Sequence, residues 1–300
     1  MGQQPYFSIV ERLEAIIASL PDDVMLALKA PTGRPGYGPK VLFRAYLATF
    51  VLNTPSISAG LRAIADHPSL ANAVGGTPTK YAISRFISKL KDTDLMQRIM
   101  ATVSESLLDM LPDLGETVAL DSSDIKAYSS YKRTDPDAQS SRKKGTDGKM
   151  KWWYGFKLHM VSDATHEIPL AAYVTPANES DMHQVGPSLE RLTTPPTFVL
   201  ADAGYGSAAN REIVENYNAT PVIKSHPRHK VQGTTNPIYS KRSSIERIFG
   251  RAKDFRRLNR LTMKGLGKAT VHCVGAILTL MLWALAALLL GHDDLIRCAV

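Results

Sequence analysis

A chain of 300 residues, 44% of them hydrophobic, has the length of about two domains and enough apolar material for a substantial core, which excludes wholesale disorder. Two cysteines, Cys273 and Cys298, exclude a disulfide scaffold and a cysteine-based zinc cluster, and fit a reducing cytosol. The net charge is +8, from 36 Lys and Arg against 28 Asp and Glu.

That charge is unevenly placed. Residues 1–116 balance, with 11 basic and 11 acidic side chains, whereas residues 224–268 hold 13 Lys and Arg against only Glu246 and Asp254. A segment at +11 in a chain whose remainder sums to −3 is the footprint of a phosphate-backbone binder. A solvated helix face has the same composition, so charge alone leaves both readings open.

The opening MGQQPYFSIV has no basic stretch before an apolar run, so no secretory signal is expected, and Tyr6 stands where myristoylation needs Ser or Thr. Ser8 and Glu11 form a capping-box pattern ahead of Ile9, Leu13, Ile16, Ile17 and Leu20 at helical spacing, with Pro21 as the stop. The turn-rich APTGRPGYGPK leads to an apolar helix over Val41–Leu52. Short helices follow after Ser58 and near Leu70, ending at Gly75-Gly76. Thr79 caps a further helix that buries Ile83, Phe86, Ile87 and Leu90 and leaves Lys80, Ser84, Arg85, Ser88 and Lys89 outside. Helix, turn and helix with a basic outer face suits a DNA-reading element and equally an ordinary bundle. One more amphipathic helix runs from Asp94 to Met110, closed by Pro112 and Gly115.

At residue 117 the period changes. TVALDSS reads as a short apolar strand ending in acid, and WWYGFKLHMVSD and IPLAAYVTPA as strands flanking a Thr165-His166-Glu167 turn. Helices over Asp181–Leu192 and Ser207–Tyr217 alternate with strands TFVLAD and ATPVIK, and a long basic helix covers Lys241–Leu258. The order predicts an α/β fold, a mixed sheet with helices on its faces. The polar stretch YKRTDPDAQSSRKKGTDGKMK has no apolar period and is expected to be a mobile loop. Residues 271–290 are apolar enough to span a bilayer, but a single terminal span would give the basic segment nothing to do, and a fully buried helix explains the run equally well.

Three carboxylates sit where such a topology can gather them: Asp121 at the end of the first strand, Asp202 at the end of a later one, and Glu246 on the basic helix. Hard oxygen ligands without His or Cys at zinc spacing favour Mg²⁺ or Mn²⁺. Each acid has a duller use: Asp121 as a cap, Asp202 as a turn former, Glu246 as the partner of Arg242. The spacing Tyr239-x2-Arg242-x3-Glu246-x6-Lys253 changes the balance. At about 100° per residue, Arg242, Glu246 and Lys253 project within about 40° of one another. A carboxylate between two cations stays ionised, as a metal ligand must, while the cations can hold phosphates beside it.

These residues resemble the DDE transposases of bacterial insertion sequences, within the RNase H-like superfamily. The likeness is closest to insertion-sequence families four and five, whose Tyr-x2-Arg-x3-Glu-x6-Lys motif is complete here. Asp121 in LDSSD and Asp202 in ADAGY match the first two acids, with Gly204 and Tyr205 following the second as is typical. YGFKLH (Tyr154–His159) and TPANESD (Thr175–Asp181) resemble the family's strand and strand-to-helix segments, and Tyr37–Leu90 resembles the helical domain that precedes its catalytic core. Only 43 residues separate Asp202 from Glu246, which leaves little room for the large β-rich insertion of some relatives.

The resemblance implies a helical N-terminal domain over residues 1–115, with possible DNA binding, and an RNase H-like catalytic domain, a mixed sheet flanked by helices, over 116–300. It implies metal-dependent DNA cleavage and strand transfer at element ends, with Asp121, Asp202 and Glu246 as catalytic acids holding two Mg²⁺ or Mn²⁺ ions. Tyr239, Arg242 and Lys253 are then DNA contacts near the scissile bond, and the loop residues Arg142, Lys143 and Lys144 a second phosphate-contact candidate. His159 is read as structural, and Trp152 and Trp153 as hairpin or core packing. Expected partners are DNA, both element ends and target, and a second copy of the chain, with a cytoplasmic, nucleoid-associated location and no membrane. The rival readings are a nuclease of the same fold that cuts without joining, an inactive DNA-binding descendant, and a membrane protein with a basic juxtamembrane segment.

Overall fold

The computed structural model describes residues 7–21, 36–129, 134–144, 147–225 and 235–298. Ala30–Pro35 of the turn-rich segment, the first residues of the polar stretch, and Arg228 and Lys230 of the basic segment lie outside the described residues.

Among the described residues, six helices precede the sheet. Helix α1 (Ile9–Ala18) starts at the predicted capping box, where Ser8 Oγ accepts the Glu11 N–H at 3.2 Å and Glu11 accepts the Ser8 N–H at 2.7 Å. Then come α2 (Pro39–Val51), α3 (Ile57–Asp66) and α4 (Pro68–Val74), the last closed by Gly75 in the left-handed region at φ +88°. Helix α5 (Lys80–Leu90) is capped by Thr79, buries Ile83, Phe86, Ile87 and Leu90, and leaves Lys80, Ser84, Arg85 and Lys89 exposed, as its amphipathic pattern predicts. Helix α6 (Leu95–Met110) completes the set.

The sheet has six strands: β1 (Thr117–Lys126), β2 (Gln139–Lys144), β3 (Met150–Asp163), β4 (Pro169–Pro176), β5 (Phe198–Ala201) and β6 (Thr220–Ile223). β1 lies between β3, antiparallel to it, and β5, parallel to it, with β6 parallel beyond β5. The other edge of β3 is shared, its C-terminal half pairing with β4 and its N-terminal half with β2. This is a mixed sheet flanked by helices, as the sequence predicts. Gly155 lets β3 pass β1 closely: a Cβ there would lie 2.1 Å from the Ile125 carbonyl oxygen, and its φ is +159°.

Four elements differ from their sequence reading, the basic helix among them. The first strand does not stop at the acid; β1 runs ten residues, because beyond Asp121 it keeps pairing with β3 after its pairing with β5 has ended. The polar stretch is not wholly loop, since β2 pairs Gln139–Lys144 with Met150–Gly155. Backbone pairing needs no apolar period, and cross-strand contacts such as Arg142 over the Trp152 ring at 5.4 Å serve instead. The Asp181–Leu192 helix is reduced to a 3₁₀ turn, Asp181–Gln184, and the short α7 (Val185–Leu189). Helix α8 (Ala208–Asn216) forms as read, capped by Ser207.

The apolar run is α10 (Leu266–Leu289), and its whole most apolar stretch is buried. It packs against β4, α6, α1 and α2, so the helices before the sheet and the sheet itself share its surface. A helix apolar on every side belongs in a core, where each buried Leu or Ile contributes about 1.5–3 kcal/mol. Its first N–H groups are met by two acids of the polar stretch: Gly265 donates to Asp135 at 3.1 Å and Leu266 to Asp137 at 3.0 Å. The basic helix is shorter than read. Residues Pro237–Arg242 form a 3₁₀ turn, and α9 (Ser243–Phe255) follows with Ile245, Ile248, Phe249 and Ala252 buried.

Candidate active site

Register brings the first two acids together. Leu120 of β1 pairs with Ala201 of β5, so Asp121 and Asp202 are the next residues on adjacent parallel strands. From there the chains diverge. β1 continues along β3, with the Ser122 N–H donating to Asp121 Oδ1 at 2.8 Å. After Asp202 the chain turns at once: its Oδ1 caps a 3₁₀ turn by accepting the Gly204 N–H at 2.8 Å. A Cβ on Gly204 would approach that same oxygen to 3.0 Å, a physical reason for the small residue there. Tyr205 is buried, and its phenol is pushed up by burial and by Asp181, Asp121 and Asp202.

Glu246 comes from the first turn of α9, where a carboxylate also suits the positive end of the helix. Its side chain is 58% exposed, against 22% for Asp121. Between them lies Arg242, the residue that opens α9. Its Nη1 donates to Asp121 Oδ2 at 3.2 Å and its Nη2 to Glu246 Oε1. The dull pairing of Arg242 with Glu246 is therefore real, and it is also the link between Glu246 and Asp121. Tyr239, half-buried in the 3₁₀ turn before α9, lies beside Arg242, and burial pushes its phenol up against the charge of that guanidinium.

Burial raises the Asp121 carboxyl to about 6, and the charges of Asp202 and Glu246 add to that rise against the Ser122 N–H and Arg242. Partly buried carboxylates that repel one another are the donors a hard divalent cation neutralises, so the residues fit Mg²⁺ or Mn²⁺ in type and charge. Among the described residues no group of three His, Cys, Asp or Glu side chains is arranged to hold a metal ion; the Arg242 guanidinium takes oxygens of Asp121 and Glu246 that an ion would use.

The other candidates fall into two groups. Lys253 projects from the last turn of α9, 5.8 Å above the Phe249 ring, its ammonium pushed down by burial and in part by Lys143, against Asp124 and Asp121. Lys143 of β2 pairs with Asp124 of β1, one of those two acids. Arg142 instead stacks on the exposed Trp152, which is hairpin packing and not core; the Lys144 side chain lies outside the described residues. His159 is fully buried, bonded to Thr175 Oγ1 at 2.9 Å and stacked on Tyr173; burial pushes it down to about 4, so it is neutral.

Two groups of residues went unread in the sequence. Glu167, in the left-handed region at the β3–β4 turn, is the focus of three arginines: Arg247 at 2.7 Å, Arg251 at 3.7 Å and Arg297 at 3.7 Å. This clamp ties α9 to the hairpin and so fixes the helix that carries Glu246. On β1, Ser122 donates to Asp181 at 3.0 Å, and Lys157 meets the same oxygen at 3.1 Å. No local pattern announces either group, because the partners lie tens of residues apart; the acid in a turn is the only trace.

The chain is similar to the transposase in a cryo-EM structure of the piggyBac transposase synaptic complex with hairpin DNA. The TM-score is 0.45 at 8% identity, over 98% of this chain and 79% of that one. Residues 112–282, which hold β1 with Asp121, the turn at Asp202 and the whole of α9, match the transposase DDE domain, and the chain belongs to that family.

Proposed function

We propose that this DDE transposase cleaves DNA at the ends of an insertion sequence and joins the freed ends to a target, with Asp121, Asp202 and Glu246 as its catalytic acids. The observation that carries the assignment is the β1–β5 register, which puts Asp121 and Asp202 side by side, with Glu246 tied to Asp121 through Arg242. The three carboxylates would hold Mg²⁺ or Mn²⁺. When bound, two such ions supply activation of the attacking oxygen and stabilisation of the leaving oxygen in an in-line phosphoryl displacement.

The chain's own residues do the rest. Arg242 is placed to exchange its carboxylate partners for a DNA phosphate, and Lys253 and Lys143 extend positive charge from α9 to β2 along the same acids. Tyr239 positions Arg242. The Ser122 and Gly204 N–H groups orient Asp121 and Asp202 so that their remaining oxygens are presented together. Two element ends must be held at once, so the working unit is a homodimer acting on DNA, with the helices before residue 116 assisting DNA binding and the protein residing with the nucleoid. The long apolar helix is buried in the core, which supports a role in the fold and not in a membrane.

The test is a joining assay with Mg²⁺, in which end-bearing DNA and a second, differently labelled duplex are incubated with the purified protein. The proposal expects covalent transfer of the cut end to the second duplex. Cleavage with no transfer would favour a nuclease, and binding with no chemistry an inactive descendant.

A further inference from the structure

A cavity of about 580 Å³ opens between the helices before the sheet and the segment leading into α10. Lys80 of α5, Lys264 and Lys268 line it, Ile57 and Met263 give it apolar surface, and Tyr128, just past the end of β1, stands at its side 60% exposed. Among the described residues no carboxylate lines this cavity, and none of the three ammonium groups has a hydrogen bond or an ion pair. Three cations facing one opening repel one another, so the arrangement calls for a ligand that brings several negative charges from outside.

We infer that the cavity seats one unpaired stretch of the DNA strand on which the triad acts, its base against Ile57, Met263 and Tyr128 and its flanking phosphates on Lys80, Lys264 and Lys268. The inference rests on the transposase reading and adds a surface to it. Three features select this occupant. The volume suits a ligand of nucleotide size, since such pockets run to about 300–1,000 Å³, and it excludes a duplex. Apolar and aromatic surface beside lysines matches the alternation of base and phosphate in a single strand. Tyr128 also lies seven residues beyond Asp121, just past the end of the strand that carries it. That separation is at most about 25 Å of extended chain, or about seven nucleotide steps of 3.4 Å. A strand with its scissile phosphate at the triad can therefore reach the cavity.

The test is binding of the full-length protein to two labelled DNAs across a salt series, one an end-bearing duplex with a ten-nucleotide single-stranded extension and one blunt. A variant carrying Lys80→Gln, Lys264→Gln and Lys268→Gln is compared with the parent, beside Tyr128→Ala; circular dichroism checks that both variants fold. The extended DNA should bind the parent more tightly than the blunt one. The triple variant should lose that preference, its salt slope on extended DNA falling by about 2, at roughly 0.7 per phosphate contact. Tyr128→Ala should weaken extended-DNA binding by about tenfold with the slope unchanged, as loss of a stacking platform does. Equal affinity and slope in the parent and the triple variant would overturn the inference. So would binding of a free deoxynucleoside monophosphate as tight as that of the extended DNA. A parent that binds neither DNA would instead overturn the transposase reading itself.

Discussion

Arg242 joins Asp121 to Glu246: one guanidinium donates to Asp121 Oδ2 at 3.2 Å and, from its other terminal nitrogen, to Glu246. The contact spans more than a hundred residues of sequence and gathers an acid of β1 with an acid of α9. A cation thus already sits on two of the three carboxylates, and a metal ion must compete with it.

Replacing Arg242 should separate metal binding from catalysis. Arg242→Ala removes the competing cation, so Mn²⁺ should bind about tenfold more tightly, seen as a larger rise in Tm on adding the ion than the parent shows. DNA cleavage should fall all the same, because the phosphate contact is lost. An unchanged thermal response to Mn²⁺ would show that the guanidinium does not compete for the acids.

Asp121 should weaken the fold at neutral pH. Its folded carboxyl titrates at about 6 against an ordinary 3.8, so the folded state holds the proton more firmly than the unfolded one. Stability from this group is therefore present below pH 4 and lost as pH rises to 6. Asp121→Asn removes the titration. Denaturant unfolding should show the variant gaining on the parent by on the order of 3 kcal/mol between pH 4 and pH 7. A difference that does not change with pH would contradict the burial and the charge repulsion described for this acid.

The Glu167 clamp should matter for rate as well as stability. Glu167→Gln leaves Arg247, Arg251 and Arg297 without their shared anion. Two of these arginines are about half exposed, so the cost should be about 1–3 kcal/mol, below that of a fully buried pair. With α9 less firmly held, cleavage should slow by about 10- to 100-fold while DNA affinity is kept. Normal turnover in a measurably destabilised variant would show that the clamp holds the fold without positioning Glu246.

Most elements, and the places of Asp121, Asp202 and Glu246 on them, could be read from the sequence because their signals are local. The Ser8–Glu11 box, the Thr79 cap and the amphipathic face of α5 each lie within a few residues, as do the spacings around Glu246. What escaped reading was long-range or non-periodic. Strand β2 is polar on both faces and owes its pairing to β3, while β1 runs past Asp121 because β3 outlasts β5 as a partner. The α9 boundary moved because Pro237–Arg242 winds as a 3₁₀ turn, so Arg242 enters the site from the start of the helix and not from its flank. Asp135 and Asp137 could not be matched to α10, about 130 residues on, without knowing that the two segments meet.

In the proposed function, Asp121, Asp202 and Glu246 act as one catalytic unit on DNA. Single-turnover cleavage of end-bearing DNA with Mg²⁺ tests it most directly, comparing the parent with Asp121→Asn, Asp202→Asn, Glu246→Gln and the Asp121→Asn/Glu246→Gln double variant. Each single change should lower the rate by at least about 10³-fold with DNA binding retained, and the double variant should be no slower than the worse single, as groups acting together behave. Near-parental cleavage by any one single variant, or losses that multiply in the double, would contradict it.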